Sequence, residues 1–234
     1  MSDRSPLTPR ARARVETTEQ IKQIARRHLA LEGPNLSLRA VARDLGVVSS
    51  AVYRYFASRD ELLTALIVDG YLSMAEAVER AEAAVPRRDL VGRWFALGRA
   101  TRAWSLAHRH EYALLYGSPV PGYAAPQDTI EPATRPVLVA MAILRDGVQR
   151  GVLEVPADRL SRPVRADCER VATSTPGFQD VPPALMTRAF TAWALLFGTI
   201  SFELFGRLTN AVTDYDAYFD HQLKVMAGHL GLNR

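Results

Sequence analysis

Residues 37–56, SLRAVARDLGVVSSAVYRYF, hold two short helical stripes on either side of one glycine. Leu38, Val41, Ala42 and Leu45 recur at i, i+3, i+4 and i+7, so they share one face of a helix. Ser37 stands just before them, where its hydroxyl can accept from backbone N–H groups that have no partner inside the helix. Gly46 can take the positive φ that a tight turn requires. In the second stripe Val52 and Phe56 face inward. Ser50 and Arg54 face outward, with Ser49 and Tyr53 beside them. The pattern predicts a helix-turn-helix, whose second helix lies in a DNA major groove. Its outer face of serines, tyrosine and arginine supplies donors for phosphates and base edges.

The flanks extend this unit. Ser58-Arg59-Asp60-Glu61 has the S-x-x-E form of a capping box, and Leu62, Leu63, Leu66, Ile67, Tyr71 and Met74 continue a helical stripe behind it. Ahead of it the spacing predicts a helix over 16–32, with Ile21, Ile24, Ala25, His28 and Leu29 inward, stopped by Gly33-Pro34. Charge segregates in the same way. Of the formal net charge of +4, the first 60 residues carry +5 (11 Lys/Arg against 6 Asp/Glu), and the rest carries −1. A basic patch confined to one end is the footprint of a polyanion partner, whose binding weakens with salt through counterion release. Residues 1–13, with Arg4, Arg10 and Arg12 against Asp3, have no apolar period and are predicted to be disordered. This tail could follow the DNA or be inert. No apolar stretch marks it as a signal peptide.

Residues 14–74 resemble the DNA-binding domain of the TetR family of transcriptional regulators. The likeness rests on Leu45-Gly46-Val47, then Val52-Tyr53-Arg54-Tyr55-Phe56, then Arg59-Asp60-Glu61-Leu62-Leu63. It implies that Tyr53, Tyr55 and Arg59 contact phosphates, that Ser49, Ser50 and Arg54 face the groove, and that Ser37 and Arg39 clamp the backbone. Plainer roles stand beside these: Tyr55 as a core aromatic, Ser37 as a cap only, Arg39 as a solvated charge. The chain departs from the family at Val48, where a capping Ser or Thr is usual. Ser49 could cap instead, so the start of the recognition helix stays open at this stage.

The remaining residues also read as helices. Over 90–116, Trp94, Leu97, Thr101, Trp104, His108, Tyr112 and Leu115 follow one another in steps of three and four, a single long stripe ended by the Gly- and Pro-rich 117–122. A helix over 135–150 turns Val137, Met141, Leu144 and Val148 to one side. Residues 151–181 are polar and predict a long connection with a short helix near 164–172. Pro182-Pro183 opens a helix predicted to run to about residue 210, and a last one spans 214–230. No strand pattern interrupts them. The expected fold is all-α: an N-terminal three-helix helix-turn-helix domain, and over 86–234 a C-terminal helical bundle with a two-helix dimerisation face.

That face follows from apolarity. The helix after Pro183 is hydrophobic on nearly every side, so more than one side must be covered. A second copy of the chain is the simplest cover, and a two-fold dimer suits a palindromic DNA site. Phe190, Leu196, Ile200 and Leu204, with Tyr218, Phe219 and Met226 of the last helix, are the candidate interface residues; the TetR resemblance implies the same two-helix dimer. Residues 110–123 and the helix from Trp193 to Gly206 further resemble the WHG-type C-terminal domain of TetR-like proteins.

The family resemblance implies a small-molecule effector in this domain. Trp94, Trp104, His108, Tyr112, Met141, Trp193 and Phe197 are the candidates to line its site, as an apolar pocket with a few polar handles; each could equally be ordinary core. No cofactor is expected. His108 and His110, two residues apart on a helix, point to different sides and cannot chelate a metal together. No GxGxxG, GxxxxGK[ST], HExxH or GxSxG is present, so an enzyme is not expected. The apolar run from Ala189 to Phe202 is short for a bilayer, and the one cysteine, Cys168, can form no disulfide within the chain. A cytoplasmic protein without a membrane partner is expected. It is taken to be a ligand-responsive repressor, with a ligand-independent architectural DNA-binding protein and a helical enzyme as the alternatives.

Overall fold

The computed structural model describes residues 8–33 and 36–232, with the backbone alone at Glu32. Among these residues there are ten α-helices and no strand. They run α1 Pro9–Glu32, α2 Leu38–Leu45, α3 Ser49–Tyr53, α4 Arg59–Ala83, α5 Leu90–Ala107, α6 Arg109–Tyr116, α7 Ile130–Gln149, α8 Arg162–Ser174, α9 Pro183–Leu204 and α10 Tyr215–Leu230. The all-α expectation holds.

Two compact units emerge: Met1–Tyr71 with His108–Ile130, and Leu72–Ala107 with Glu131–Arg234. The first unit thus takes in α6 and its following loop, which the expected 14–74 boundary leaves out. Within it, Ile21, Ile24, Leu29, Leu38, Val41, Val52, Phe56, Leu62, Leu63 and Leu66 form one apolar core, joined by Val120 from the loop after α6. α6 lies close against α4, so close that a Cβ at Gly70 would come 3.3 Å from Leu115 Cδ1. The Tyr71 ring meets Tyr116 edge-on at 6.0 Å, and the Thr64 and Tyr123 hydroxyls are 2.9 Å apart. Lys22 and Arg26 of α1 both reach Asp69 of α4, at 2.8 and 2.6 Å. Burial raises the pKa of Tyr71 and, further, that of Tyr116.

α1 begins well before the expected residue 16. Thr8 Oγ1 accepts from the Ala11 N–H at 3.2 Å, and Pro9 occupies the first helical turn, where its missing N–H costs nothing. Arg10-Ala11-Arg12-Ala13 are strong helix formers. These local signals outweigh the lack of apolar period that pointed to disorder over 1–13, of which residues 1–7 lie outside the described residues. The expected single stripe over 90–116 is likewise two helices. His108, with φ −123° and ψ 52°, breaks it and leads into α6 without a side-chain cap.

In the second unit α9 packs on α8 and α10, and α5 on both α9 and α10. Trp94 of α5 donates its indole N–H to the Leu223 carbonyl of α10 at 3.1 Å. Arg102 holds Glu203 through two bonds of 2.7 and 2.8 Å, reaches Asp216 at 2.7 Å, and covers the Phe219 ring. Arg93 is fully buried between Glu82 and Asp146, at 2.5 and 2.8 Å. Helix α9 is long and apolar enough to cross a membrane by length and composition, contrary to what the 189–202 run suggested. The core helix of a soluble protein passes the same test, and Leu185, Met186, Ala192, Leu196 and Ile200 of α9 are fully buried in this unit.

Candidate functional site

The helix-turn-helix is built from the inside out. Ser37 Oγ accepts from the Ala40 N–H at 3.4 Å and starts α2. Gly46 ends it at φ 75°, ψ 25°, with its N–H on Arg43 O and the Val47 N–H on Ala42 O at 3.0 Å, the paired bonds of a Schellman turn. This turn delivers α3, whose Val52 is 1 % exposed and pins the helix to the core, followed by buried Phe56. The opposite side of α3 carries Ser50, Tyr53 and Arg54 into solvent, with Ser49 half-buried. The start of the recognition helix, left open by the sequence, is settled at Ser49: Val48 takes the cap position, with no side-chain cap bond. Ser49 therefore does not cap.

Around this face the other candidates divide. Arg39 is exposed, and Ser37 is both a cap and exposed. Tyr55 is half-buried against the core, with the Arg14 guanidinium 5.2 Å above its ring. Arg59 is half-buried and 3.3 Å from Asp60. Ser58 Oγ accepts from the Glu61 N–H at 3.1 Å, while the Glu61 carboxylate accepts from Ala57, one residue earlier than a standard capping box. His28, buried in α1, bonds through Nε2 to Asp44 Oδ2 of α2 at 2.7 Å, and this bond lowers the Asp44 pKa. Sequence reasoning placed His28 inward but missed Asp44, since a buried ring nitrogen needs a partner that spacing alone does not name. Arg10, Arg12 and Arg14 are exposed on α1.

The effector candidates fall in different units. Trp94, Trp104 and Met141 are buried in the second, where half-buried Trp193 lies 5.0 Å from buried Phe197. His108 and Tyr112 belong to the first, in which Tyr112 is fully buried with its ring 5.2 Å from Tyr116. Trp104 donates its indole N–H to Ser73 Oγ at 3.0 Å, so both buried indoles are already bonded within the unit. No cluster of three or more metal-ligating side chains occurs among the described residues. Burial raises the pKa of the lone Cys168, with Asp167 and Glu169 adding to it.

The dimer candidates differ in burial. Leu196, Ile200, Phe219 and Met226 are buried by their own chain, and Leu204 and Tyr218 are half-buried; of the seven, only Phe190 is exposed. The exposed apolar side chains of α9 are instead Phe190, Leu195 and Phe202, with exposed Ala194 among them, Phe205 exposed just after the helix and Val225 exposed on α10.

Residues 23–66 match the bacterial regulatory proteins of the tetR family, and residues 94–226 match the tetracyclin repressor-like C-terminal domain. The chain belongs to the TetR family. It is a DNA-binding transcriptional regulator with a helix-turn-helix. It is 40% identical over 226 residues to the HTH-type transcriptional regulator Rv1816 of Mycobacterium tuberculosis, covering 93% of this chain and 94% of that one. The crystal structure of the regulatory protein SCO4313 superposes with a TM-score of 0.74 at 35% identity, covering 94% of this chain and all of that one. A protein of unknown function from Rhodococcus sp. RHA1 follows at 0.65 and 25%, over 89% of this chain and 94% of that one. Both relatives that carry a functional name are named as regulators.

Proposed function

We propose that this TetR-family regulator is a homodimeric, ligand-responsive repressor of the cytoplasm that binds a palindromic operator. The observation that carries the DNA contact is the division of α3: Val52 buried at 1 %, while Ser50, Tyr53 and Arg54 stand in solvent. Ser49, Ser50 and Arg54 read base edges. Tyr53, Tyr55, Arg59, Ser37 and Arg39 hold phosphates. The exposed aromatic side of α9 supports dimerisation, since Phe202 is 54 % exposed and lies in a row with Phe190 and Phe205. Apolar rows of this extent mark protein interfaces. A small apolar or aromatic effector acts through the second unit, on the Trp94, Trp104, Met141, Trp193 and Phe197 side chains.

One observation favours a second reading, a DNA-binding protein without an effector. The Trp94 and Trp104 N–H groups are bonded within the unit, and Met141 is fully buried, as in an ordinary core.

The test joins sedimentation with DNA binding. The native chain is expected to sediment as a dimer at micromolar concentration and to enrich palindromic duplexes from a random-sequence pool. Phe202→Glu places charge on the free side of α9 and is expected to give a folded monomer with at least tenfold weaker binding to the enriched duplex. A native monomer would overturn the dimer, and enrichment of single half-sites the palindrome.

A further inference from the structure

The chain sets an apolar side chain where its neighbouring helices set a hydroxyl. Helices α1, α2 and α4 are started by Thr8, Ser37 and Ser58, each accepting a backbone N–H. Helix α3 is started by Val48, whose side chain accepts none and which is 71 % exposed. Valine is among the poorest residues at a helix start. It contributes nothing to the core here, so neither local structure nor packing accounts for it.

Position does. The first residues of the second helix of a helix-turn-helix meet base edges. The major-groove edge of thymine carries an apolar group, its C5-methyl, which apolar side chains contact. Valine is also stiff at χ1, so its two methyls are presented with little freedom to lose. Val47 is more covered, at 40 % exposure, and Tyr53 brings a hydroxyl. Val48 is the apolar group of this face best suited to a methyl.

Resting on the DNA contact proposed above, we infer that Val48 is a specificity residue that reads a thymine C5-methyl in each half-site. It discriminates by excluding water between two apolar groups and makes no hydrogen bond. A serine or threonine there would cap the helix and lose that preference or weaken it.

Replacing single thymidines by deoxyuridine in the enriched duplex removes the methyl and leaves every hydrogen-bonding group in place. By fluorescence anisotropy, one thymidine in each half-site is expected to show a loss of about fourfold on this exchange, the effect of burying one methyl-sized group. Val48→Ala is expected to bind the two duplexes equally, with unchanged thermal unfolding because the side chain is exposed. Val48→Ser is expected to bind the two duplexes equally as well, with a slightly higher melting temperature from the new cap, and serves as the capped control. Enrichment without any deoxyuridine-sensitive position would overturn the inference, as would sensitivity that persists undiminished in Val48→Ala. No enrichment at all would overturn the DNA contact of α3 and this inference with it.

Discussion

In the second unit Arg93, Arg99, Arg102, Arg135 and Arg188 each end on a carboxylate: Glu82 and Asp146, Asp220, Glu203 and Asp216, Glu79, and Asp158. In the first unit Arg10, Arg12, Arg39 and Arg54 end in solvent, with no carboxylate partner among the described residues. The same side chain therefore does two kinds of work. In the second unit it joins helices, tying α5 to α9 and α10, α7 to α4, and α9 to the stretch before α8. In the first unit the helices are joined by apolar side chains and by Lys22, Arg26 and Asp69, while Arg10, Arg12, Arg39 and Arg54 stay exposed to a polyanion. The sequence-level charge imbalance of the first 60 residues thus reflects cations left unspent.

Substitutions can break this contrast. The largest effect is expected at Arg93, whose removal strands Glu82 and Asp146 in a buried setting. Arg93→Ala should destabilise by about 3–5 kcal/mol and lower the melting temperature by about 10 °C. DNA affinity of the folded protein should be retained, and an unchanged melting temperature would remove Arg93 from the framework.

The opposite outcome is expected for Arg54 and Arg59. Arg54→Ala should leave stability within about 0.5 kcal/mol. It should cost about 1–3 kcal/mol of preference for the enriched duplex over random DNA. Arg59→Ala should instead weaken binding to all sequences and reduce the slope of log affinity against log salt by about one. If Arg54→Ala unfolds the chain, the division between joining and free arginines fails.

The smallest effect concerns acid. Asp220 is held below the usual carboxylate range by Arg99, and Asp44 by His28. A carboxylate with a depressed pKa stabilises the fold above its ordinary value, and this stabilisation is lost as pH falls through the lower, folded value. Melting temperatures followed from pH 6 to pH 2 should therefore drop below about pH 4. Asp220→Asn and Asp44→Asn should each flatten that drop slightly. If neither changes it, these two pairs contribute nothing.

Much of this was legible because it is local. The stripe Leu38, Val41, Ala42, the Gly46 turn and the inward Val52 and Phe56 all follow from a period of 3.6 and one residue free to take positive φ. The parts that were not legible depend on what lies across from a residue. The steps of three and four run straight through His108, so the break before α6 leaves no trace in the apolar pattern. On α9 nearly every side is apolar, so periodicity could not separate Leu196 and Ile200, which are buried, from Phe202, which is exposed. At Val48 the expectation of a capping hydroxyl pointed one residue too far along, to Ser49. Residues 9–13 looked unstructured because an exposed helix turn needs no apolar face, only a cap and good helix formers.

The five-residue length of α3 has a consequence for how such a protein changes over generations. So short a helix cannot persist alone in water; it is held by Val52 and by the turn at Gly46. Val48, Ser50, Tyr53 and Arg54 bear little of that holding. Each can be exchanged with small loss of folding stability, so a gene encoding this chain can move between operators through single substitutions that selection on folding scarcely sees.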